Sequence, residues 1–257
     1  MIPASVLDNK TVLVTGSAGF LAKVFVEKVL RIQPDVKKLY LLMRAPDSHS
    51  AAKRLRDEVM EKELFRVVKE KWGPNFAKFV SEKVVAVAGD ISREDLGIED
   101  VDLKKEIWKE TDLVVNFAAT TRFDERYDVA LATNTYGAAH VLNFSKKCAR
   151  IKLLVHVSTA YVCGEEAGII KEKPVSMAKG GNHDDDDDDE LIVKIVDGER
   201  KLVQQRLLQL QSNKQLSSDG GDRGISSAMR LLGLERYIYI FWNIWYSNDY
   251  KFIVVYF

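Results

Sequence analysis

The sequence predicts an α/β protein built on a doubly wound parallel sheet, and three observations support this fold class. Five short β-branched or apolar segments alternate with segments of helical periodicity between residues 11 and 158, as in parallel sheets whose strands are joined by crossover helices. A glycine-rich turn directly follows the first apolar segment. Small or polar residues follow every one of the five, and ligands of such sheets bind at the edge where the strands end.

The first element is the β-branched run Thr11–Thr15, followed by Gly16, Gly19 and Ala22 at intervals of three and by a helical segment over 20–30. Gly16 permits a sharp turn, Gly19 leaves room for a phosphate, and a small Ala22 lets the helix pack closely. The N-terminus of that helix would attract an anion. The turn therefore predicts a Rossmann-type dinucleotide site, although a plain strand-turn-helix needs the same glycines. The predicted cofactor contacts are Thr15, Gly16, Ser17, Ala18, Gly19, Phe20 and Leu21.

The second strand is predicted over Lys38–Arg44, where the apolar residues run continuously as in strands buried on both faces. The end of this strand should lie beside the adenosine ribose. An acidic residue there favours NAD, whereas the guanidinium of Arg44 favours the 2′-phosphate of NADP. Asp35 has the sequence spacing of the ribose-binding acid but precedes the strand, at the wrong end. The alternative for Arg44 is a solvated charge.

The next elements are a charged helical segment over Ser48–Lys71 and a third strand over 83–88. The helical segment should end at Trp72-Gly73-Pro74. Asp90 and Ile91 follow the third strand, so Asp90 is a candidate acceptor for the adenine amino group. A plain turn residue explains Asp90 equally well.

The last two predicted strands cover Asp112–Phe117 and Ile151–Val157, with a helix over 101–110 before them. The fourth strand ends in Ala118 and Ala119, which are small enough for a cofactor to lie across them. The fifth strand ends in Ser158 and Thr159. A long helix over 124–147 joins the two and contains Asn134, a polar residue in a half-buried stretch.

The composition excludes several functional classes. The formal net charge of the 257 residues is zero, which gives no indication of nucleic acid as a partner. Cys148 and Cys163 lack metal-site spacing and predict reduced thiols. The acidic run over 184–190 lacks the glycine of a calcium loop, so no metal is expected. The first ten residues resemble neither a signal nor a transit peptide, and no apolar stretch approaches the roughly 20 residues of a membrane span.

Four segments together resemble the extended short-chain dehydrogenase/reductase superfamily and, within it, the plant alcohol-forming fatty acyl-CoA reductases. They are VLVTGSAGFLAKVFVEKVLR (12–31), VKKLYLLMRA (36–45), VNFAATTRFDERYDVALATNT (115–135) and LLVHVSTAYVCGE (153–165). The FDERYDVAL run is the most specific. The similarity is good over roughly residues 8 to 175 and weak through 199–210 and 231–236.

The resemblance implies an enzyme that uses NADPH to reduce a long-chain fatty acyl-CoA to a primary alcohol through an aldehyde. Gly16 and Gly19 would bind the pyrophosphate and Arg44 the 2′-phosphate. Thr159, or Ser158 beside it, would donate a hydrogen bond to the substrate carbonyl, and Asn134 would lie near the proton-relay position. The alternative for Ser158 and Thr159 is capping of local backbone. His156 is expected to be a packed residue.

One departure from the superfamily concerns its proton donor, a Tyr followed four residues later by a Lys. None of the nine tyrosines in this sequence has a Lys at that distance. A second hypothesis is therefore a non-catalytic NADP(H)-binding fragment of such an enzyme. A nucleotide-sugar epimerase of the same superfamily fits less well, because Arg44 disfavours NAD and the FDERYDVAL run indicates the reductases.

The predicted organisation is an NADP-binding domain over 1–175, a partial substrate-binding region over 176–236 and a divergent aromatic tail over 237–257. The acidic run at 183–190 is expected to be a disordered loop. The tail fits no pattern of the family, so a truncation or retained intron is expected there. The expected location is the endoplasmic reticulum or the cytoplasm, with peripheral membrane association compatible. The oligomeric state and the acyl chain length stay open.

Overall fold

The computed structural model describes residues 6–122, 124–158, 185–214, 221–236 and 252–256. The chain divides into two compact units. The first comprises Met1–Ala119, Tyr136–Thr159 and Asp249–Phe257, and the second comprises Thr120–Thr135 and Ala160–Asn248. The domain boundary predicted at residue 175 lies outside the described residues and stays a prediction.

The first unit contains a six-stranded sheet in which every pair of neighbouring strands is parallel. Its order is β3-β2-β1-β4-β5-β6, so the doubly wound sheet is confirmed. The order reverses between β1 and β4, which is where such sheets bind ligands. The strands are β1 (Thr11–Thr15), β2 (Lys38–Arg44), β3 (Val84–Gly89), β4 (Leu113–Asn116), β5 (Leu153–Ser158) and β6 (Phe252–Tyr256).

Helices alternate with the strands of the first unit along the chain, and helices are also the regular elements described in the second unit. They are α1 (Phe20–Ile32), α2 (Ser48–Arg54), α3 (Arg66–Trp72), α4 (Phe76–Lys83), α5 (Val101–Glu110), α6 (Tyr127–Ala130), α7 (Gly137–Lys146), α8 (Asp185–Lys214) and α9 (Gly221–Glu235). No helix in the described part of the chain is long and apolar enough to cross a bilayer.

The long helix predicted over Ser48–Lys71 is wrong, because the chain between β2 and β3 is broken into shorter pieces. After α2 the helix widens into a π-turn over Leu55–Met60, followed by a short 3₁₀ turn over Glu63–Phe65. Leu55, Val59, Met60 and Phe65 are buried, so the change of pitch keeps the apolar side chains against the sheet. The sequence prediction also missed α4, which begins just after Pro74 and stacks Phe79 on Trp72 with centroids 3.9 Å apart.

The helix predicted over 124–147 differs in a similar way. It begins at Tyr127, passes through a π-turn over Leu131–Tyr136 and continues as α7 to Lys146. A π-turn inside a longer helix is common at functional sites. This one contains Asn134.

Two predictions for the C-terminal part need correction. The acidic run was expected to be a disordered loop, but Asp185–Glu190 form the first turns of α8. Carboxylates in the first turns of a helix are stabilised by its dipole, which offsets their mutual repulsion. For the divergent aromatic tail over 237–257 no strand was predicted, but Phe252–Tyr256 form β6 and pair in parallel with β5. The β-branched residues 253–255 favour a strand.

A buried carboxylate fixes the end of the sheet where the strands begin. Asp112 is fully buried just before β4 and accepts a hydrogen bond from the backbone N–H of Thr11 over 3.0 Å. Arg150, just before β5, donates to the same carboxyl group over 3.3 Å. Asp112 therefore connects the starts of three neighbouring strands. Cys148 nearby is free and buried, and burial raises the pKa of its thiol to about 12.

The second unit is organised around a buried ionic network. The Tyr127 hydroxyl donates to the Glu199 carboxylate over 2.7 Å, and Arg236 Nε donates to the same oxygen over 2.7 Å. Glu199 is 7% exposed and Tyr127 is fully buried. Burial raises the pKa of Glu199, but the hydrogen bonds from Arg236 and Tyr127 outweigh burial, and the pKa lies below its usual range. The network joins α6 and α8 to the end of α9.

Replacing Glu199 with Ala should destabilise the protein by about 2 kcal/mol at neutral pH, because the Arg236 charge and the Tyr127 hydroxyl lose their partner. Urea unfolding measures the change, and Lys201→Ala, at an exposed position of α8, is the matched control. The difference should be present above about pH 4.3, the unfolded pKa of Glu. It should disappear as the pH falls through the lower folded pKa. Equal unfolding midpoints of the two variants at pH 7 would contradict a stabilising network.

Candidate cofactor-binding site

The turn after β1 has the geometry expected of a phosphate-binding loop. Gly16 has a φ of +64°, and a Cβ there would lie 2.7 Å from the backbone N of Ala118. Gly19 is the N-cap of α1, and a Cβ there would lie 3.0 Å from the carbonyl oxygen of Gly16. Ala22 is fully buried. The first N–H groups of α1 have no partner within the helix, so they are available to an anion at this turn.

The side chains of the turn are used by the protein itself. Thr15 is buried and its hydroxyl donates to the Asn116 amide oxygen. Ser17 is also buried and donates to the carbonyl of Val14 over 2.9 Å. A ligand at the turn would therefore meet backbone N–H groups there. Phe20, at the start of α1, is 74% exposed. Ala18 and Leu21 are half-buried.

A buried polar chain joins the ends of β1, β4 and β5. Asn116 accepts from Thr15 and donates through Nδ2 to His156 Nδ1 over 2.8 Å. Its amide oxygen also accepts from the N–H of Ala118 over 3.3 Å. His156 is 7% exposed, which agrees with the packed residue expected there. Asn116 was not predicted from the sequence, because its partners are 101 and 40 residues away.

A cavity of about 560 Å³ lies at the ends of β2 and β3, and both Arg44 and Asp90 line it. Arg44 pairs in register with Gly89, so the two predicted adenosine contacts lie at neighbouring strand ends. Arg44 is exposed, and within the described ranges its guanidinium makes no hydrogen bond or ion pair. Asp90 accepts from the N–H and the hydroxyl of Ser92 over 2.9 and 2.8 Å. Asp90 therefore stabilises the turn after β3, and its hydrogen bond to the adenine amino group stays a prediction.

Two further residues support this edge and were missed by the sequence analysis. Arg54 Nη1 donates to the carbonyl of Arg44 over 2.6 Å, and the same guanidinium forms an ion pair with Glu58. The last residue of α2 therefore places a second guanidinium at the end of β2. His140 Nδ1 lies 2.8 Å from the carbonyl oxygen of Ile91, which connects α7 to the loop after β3. A basic residue in the first helix after β2 is the signal that could have indicated Arg54.

The predicted catalytic residues are described only in part. Asn134 accepts from the N–H of Thr120 over 2.9 Å and donates to its carbonyl over 3.1 Å, so it clamps the chain just after Ala118 and Ala119. Asn134 belongs to the second unit and Ser158, the last residue of β5, to the first. Thr159 lies outside the described residues. No cluster of three or more potential metal ligands occurs in the part of the chain that the structure describes.

Comparison with known sequences identifies the family. The NAD-binding family described as "Male sterility protein" matches residues 14–214. The chain belongs to this family. The match begins inside β1 and covers the glycine turn, the cavity at β2 and β3, and α8. The predicted nicotinamide-nucleotide-binding fold is thereby confirmed.

Curated relatives of this chain are named as reductases. An "Alcohol-forming fatty acyl-CoA reductase" from Simmondsia chinensis is 53% identical over 230 residues, covering 90% of this chain and 44% of the relative. "Fatty acyl-CoA reductase 8" from Arabidopsis thaliana is 51% identical over 232 residues, covering 90% and 44%. The resemblance read from the sequence is confirmed. The chain spans about half the length of these relatives.

A solved structure supports the fold. The terminal R domain from the myxalamid PKS-NRPS biosynthetic pathway superposes with a TM-score of 0.52 and 27% identity, over 65% of this chain and 40% of that one. This likeness supports the α/β fold of the chain.

Replacing Gly16 with Ala should destabilise the protein by about 2 kcal/mol or more, since a left-handed residue gains a Cβ against the backbone of Ala118. Binding of a nicotinamide dinucleotide, measured by fluorescence titration, should be lost even under conditions where the variant stays folded. Gly73→Ala is the control, because Gly73 also has a positive φ but a Cβ there meets nothing within 4 Å. Its stability should fall while binding persists. Normal binding by folded Gly16→Ala would contradict the role of this turn.

Proposed function

We propose that this chain is the nucleotide-binding part of an NADPH-dependent, alcohol-forming fatty acyl-CoA reductase. The observation that carries the proposal is the backbone-lined turn at Gly16 and Gly19, located where the sheet order reverses, in a chain about half identical to relatives named as such reductases. The two glycines leave the space that a pyrophosphate needs, so the residues present fit a dinucleotide.

The choice of NADPH over NADH is supported by the charges at the tip of β2. The strand ends in Arg44, whose guanidinium has no partner among the described residues, with Arg54 beside it. The nearest acid along the chain, Asp47, caps α2 by accepting from Ser50, and these hydrogen bonds lower the pKa of its carboxyl group. That carboxylate is committed to the helix, so it is a poor partner for a ribose 2′-hydroxyl. An arginine fork suits a phosphate monoester.

In the proposed reaction the chain binds and orients, and the bound NADPH supplies a hydride for the acyl carbonyl. The glycine turn and the N-terminus of α1 would bind the pyrophosphate. The Arg44 guanidinium would bind the 2′-phosphate. Ser158 or Thr159 would donate a hydrogen bond to the substrate carbonyl oxygen as negative charge develops on it. Fatty acyl-CoA as the substrate, the substrate-binding role of residues 176–236 and an endoplasmic reticulum location belong to this proposal.

The second candidate is a non-catalytic NADP(H)-binding fragment, and one observation favours it. None of the tyrosines in the sequence is followed four residues later by a lysine. A phenol without a neighbouring cation is a weak proton donor. Incubation of the purified chain with NADPH and a long-chain acyl-CoA separates the candidates. Formation of fatty alcohol supports the enzyme, whereas saturable NADPH binding without product supports the fragment.

Replacing Arg44 with Ala should weaken NADPH binding by about tenfold or more, because one charge-assisted pair with the 2′-phosphate is lost. NADH affinity should stay within about twofold, since its ribose carries no phosphate at that position. Fluorescence titration of both dinucleotides measures the ratio. Arg66→Ala removes an exposed arginine that pairs only with Glu63 and Glu70 among the described residues and is the matched control. An unchanged preference in Arg44→Ala would refute the assignment of the 2′-phosphate to this residue.

A further inference from the structure

The loop after β3 lies next to the cavity that Arg44 and Asp90 line, which is called the adenosine cavity below. Its backbone has an unusual conformation. Asp95, Leu96 and Gly97 have φ values of +50°, +58° and +60°, so three consecutive residues are left-handed and two of them carry a side chain. Such conformations persist only where surrounding contacts impose them, and they concentrate at ligand-binding sites. The loop therefore has a conformation that its sequence alone does not favour.

Several contacts impose this conformation. The carbonyl of Leu96 accepts from the N–H of Asp90 over 2.7 Å, and the Leu96 side chain is fully buried. Asp95 is bound by Lys147 over 2.5 Å and by Lys104 over 3.6 Å. The hydrogen bond and charge of Lys147 lower the pKa of the Asp95 carboxyl group, with Lys104 contributing in the same direction. The loop is anchored to β3, α5 and α7.

The anchored loop positions one further cation at the cavity. The stem of Arg93 lies across Gly97, where a Cβ would meet Arg93 Cδ at 3.2 Å and Cβ at 3.4 Å. The Arg93 guanidinium lies 3.4 Å from the carboxylate of Glu99. Arg93, Glu99 and Arg44 all line the same cavity. The Arg93–Glu99 pair is thus part of the lining that Arg44 shares.

We propose that Arg93 is a second specificity-determining residue for the adenosine 2′-phosphate, and that Glu99 pairs with it until the phosphate binds. This inference rests on the proposed NADPH function. A phosphate monoester carries about 1.5 to 2 negative charges at neutral pH. The charge of Arg54 beside Arg44 is already paired with Glu58, so the charge of Arg44 leaves part of the phosphate uncompensated. Arg93 supplies the remaining positive charge from the loop that follows the neighbouring strand β3.

The exchange of partners is favourable because the Arg93–Glu99 pair is weak. Both side chains are more than 60% exposed and make a single contact of 3.4 Å, and such surface pairs contribute little. The other carboxylates that line the cavity are committed elsewhere. Asp47 caps α2, Asp100 accepts from two N–H groups of α5, and Asp90 accepts from Ser92. Arg93 is therefore free to move from Glu99 to a phosphate.

The test uses two probes without a nicotinamide ring, 2′,5′-ADP and 5′-AMP, titrated calorimetrically into the whole chain. Arg93→Ala should weaken 2′,5′-ADP binding by about fivefold to tenfold and leave 5′-AMP within about twofold. Glu99→Gln should tighten 2′,5′-ADP by about twofold to threefold, because the competing carboxylate is removed. Arg66→Ala should change neither affinity.

The outcomes separate this inference from the proposed function. A wild-type chain that binds 2′,5′-ADP no better than 5′-AMP would refute the NADPH function and this inference with it. A wild-type chain that prefers 2′,5′-ADP, with the same preference in Arg93→Ala, would refute the role of Arg93 alone. Tighter 2′,5′-ADP binding in Glu99→Gln together with weaker binding in Arg93→Ala supports the exchange of partners.

Discussion

The close approach of the β1 turn to the end of β4 is the constraint on which the proposed site depends. The two backbones meet where the strand order reverses, and a methyl group at Gly16 would lie 2.7 Å from Ala118 N. The buried hydrogen bonds from Thr15 to Asn116 and from Asn116 to His156 also connect these strand ends. Because the turn and the β4 end are fixed to each other, the backbone N–H groups of the turn have a defined direction, which an anion site requires.

The opposite end of the sheet makes a complementary contribution. Asp112 ties the starts of β1 and β4 together and accepts a charge-assisted hydrogen bond from Arg150 before β5. A shift of register by one residue would exchange the two faces of a strand and would leave this buried carboxylate without its partners. The observed register of β1 and β4 places Thr15 opposite Asn116. The Asp112 contact at the start of these two strands is therefore matched to the register that the Thr15–Asn116 hydrogen bond uses at their other end.

Local patterns predicted the first five strands along the chain, the glycine turn and the position of Arg44, because each depends on neighbours in sequence. What was missed depends on distant partners. The π-turn at Leu55–Met60 and the helix α4 follow from packing on the sheet, and the bonds of Asn116 span up to 101 residues. The acidic run was read from its self-repulsion, whereas the helix dipole and the continuation of α8 favour order there. No local sequence pattern indicates a role for Arg93, which is distinguished only by the cavity that it lines together with Arg44.

The ionic network of the second unit has a consequence for biosynthesis. Tyr127 and Glu199 are 72 residues apart, and Glu199 is bound in turn by Arg236, a further 37 residues along the chain. A nascent polypeptide emerges from the ribosome in sequence order, so the segment around Tyr127 is exposed long before its final partner is synthesised. Until then the Glu199 carboxylate has no counter-charge from Arg236. Vectorial synthesis thus delays completion of this network until Arg236 has left the ribosome, so the helical unit is the later of the two to gain its full set of contacts.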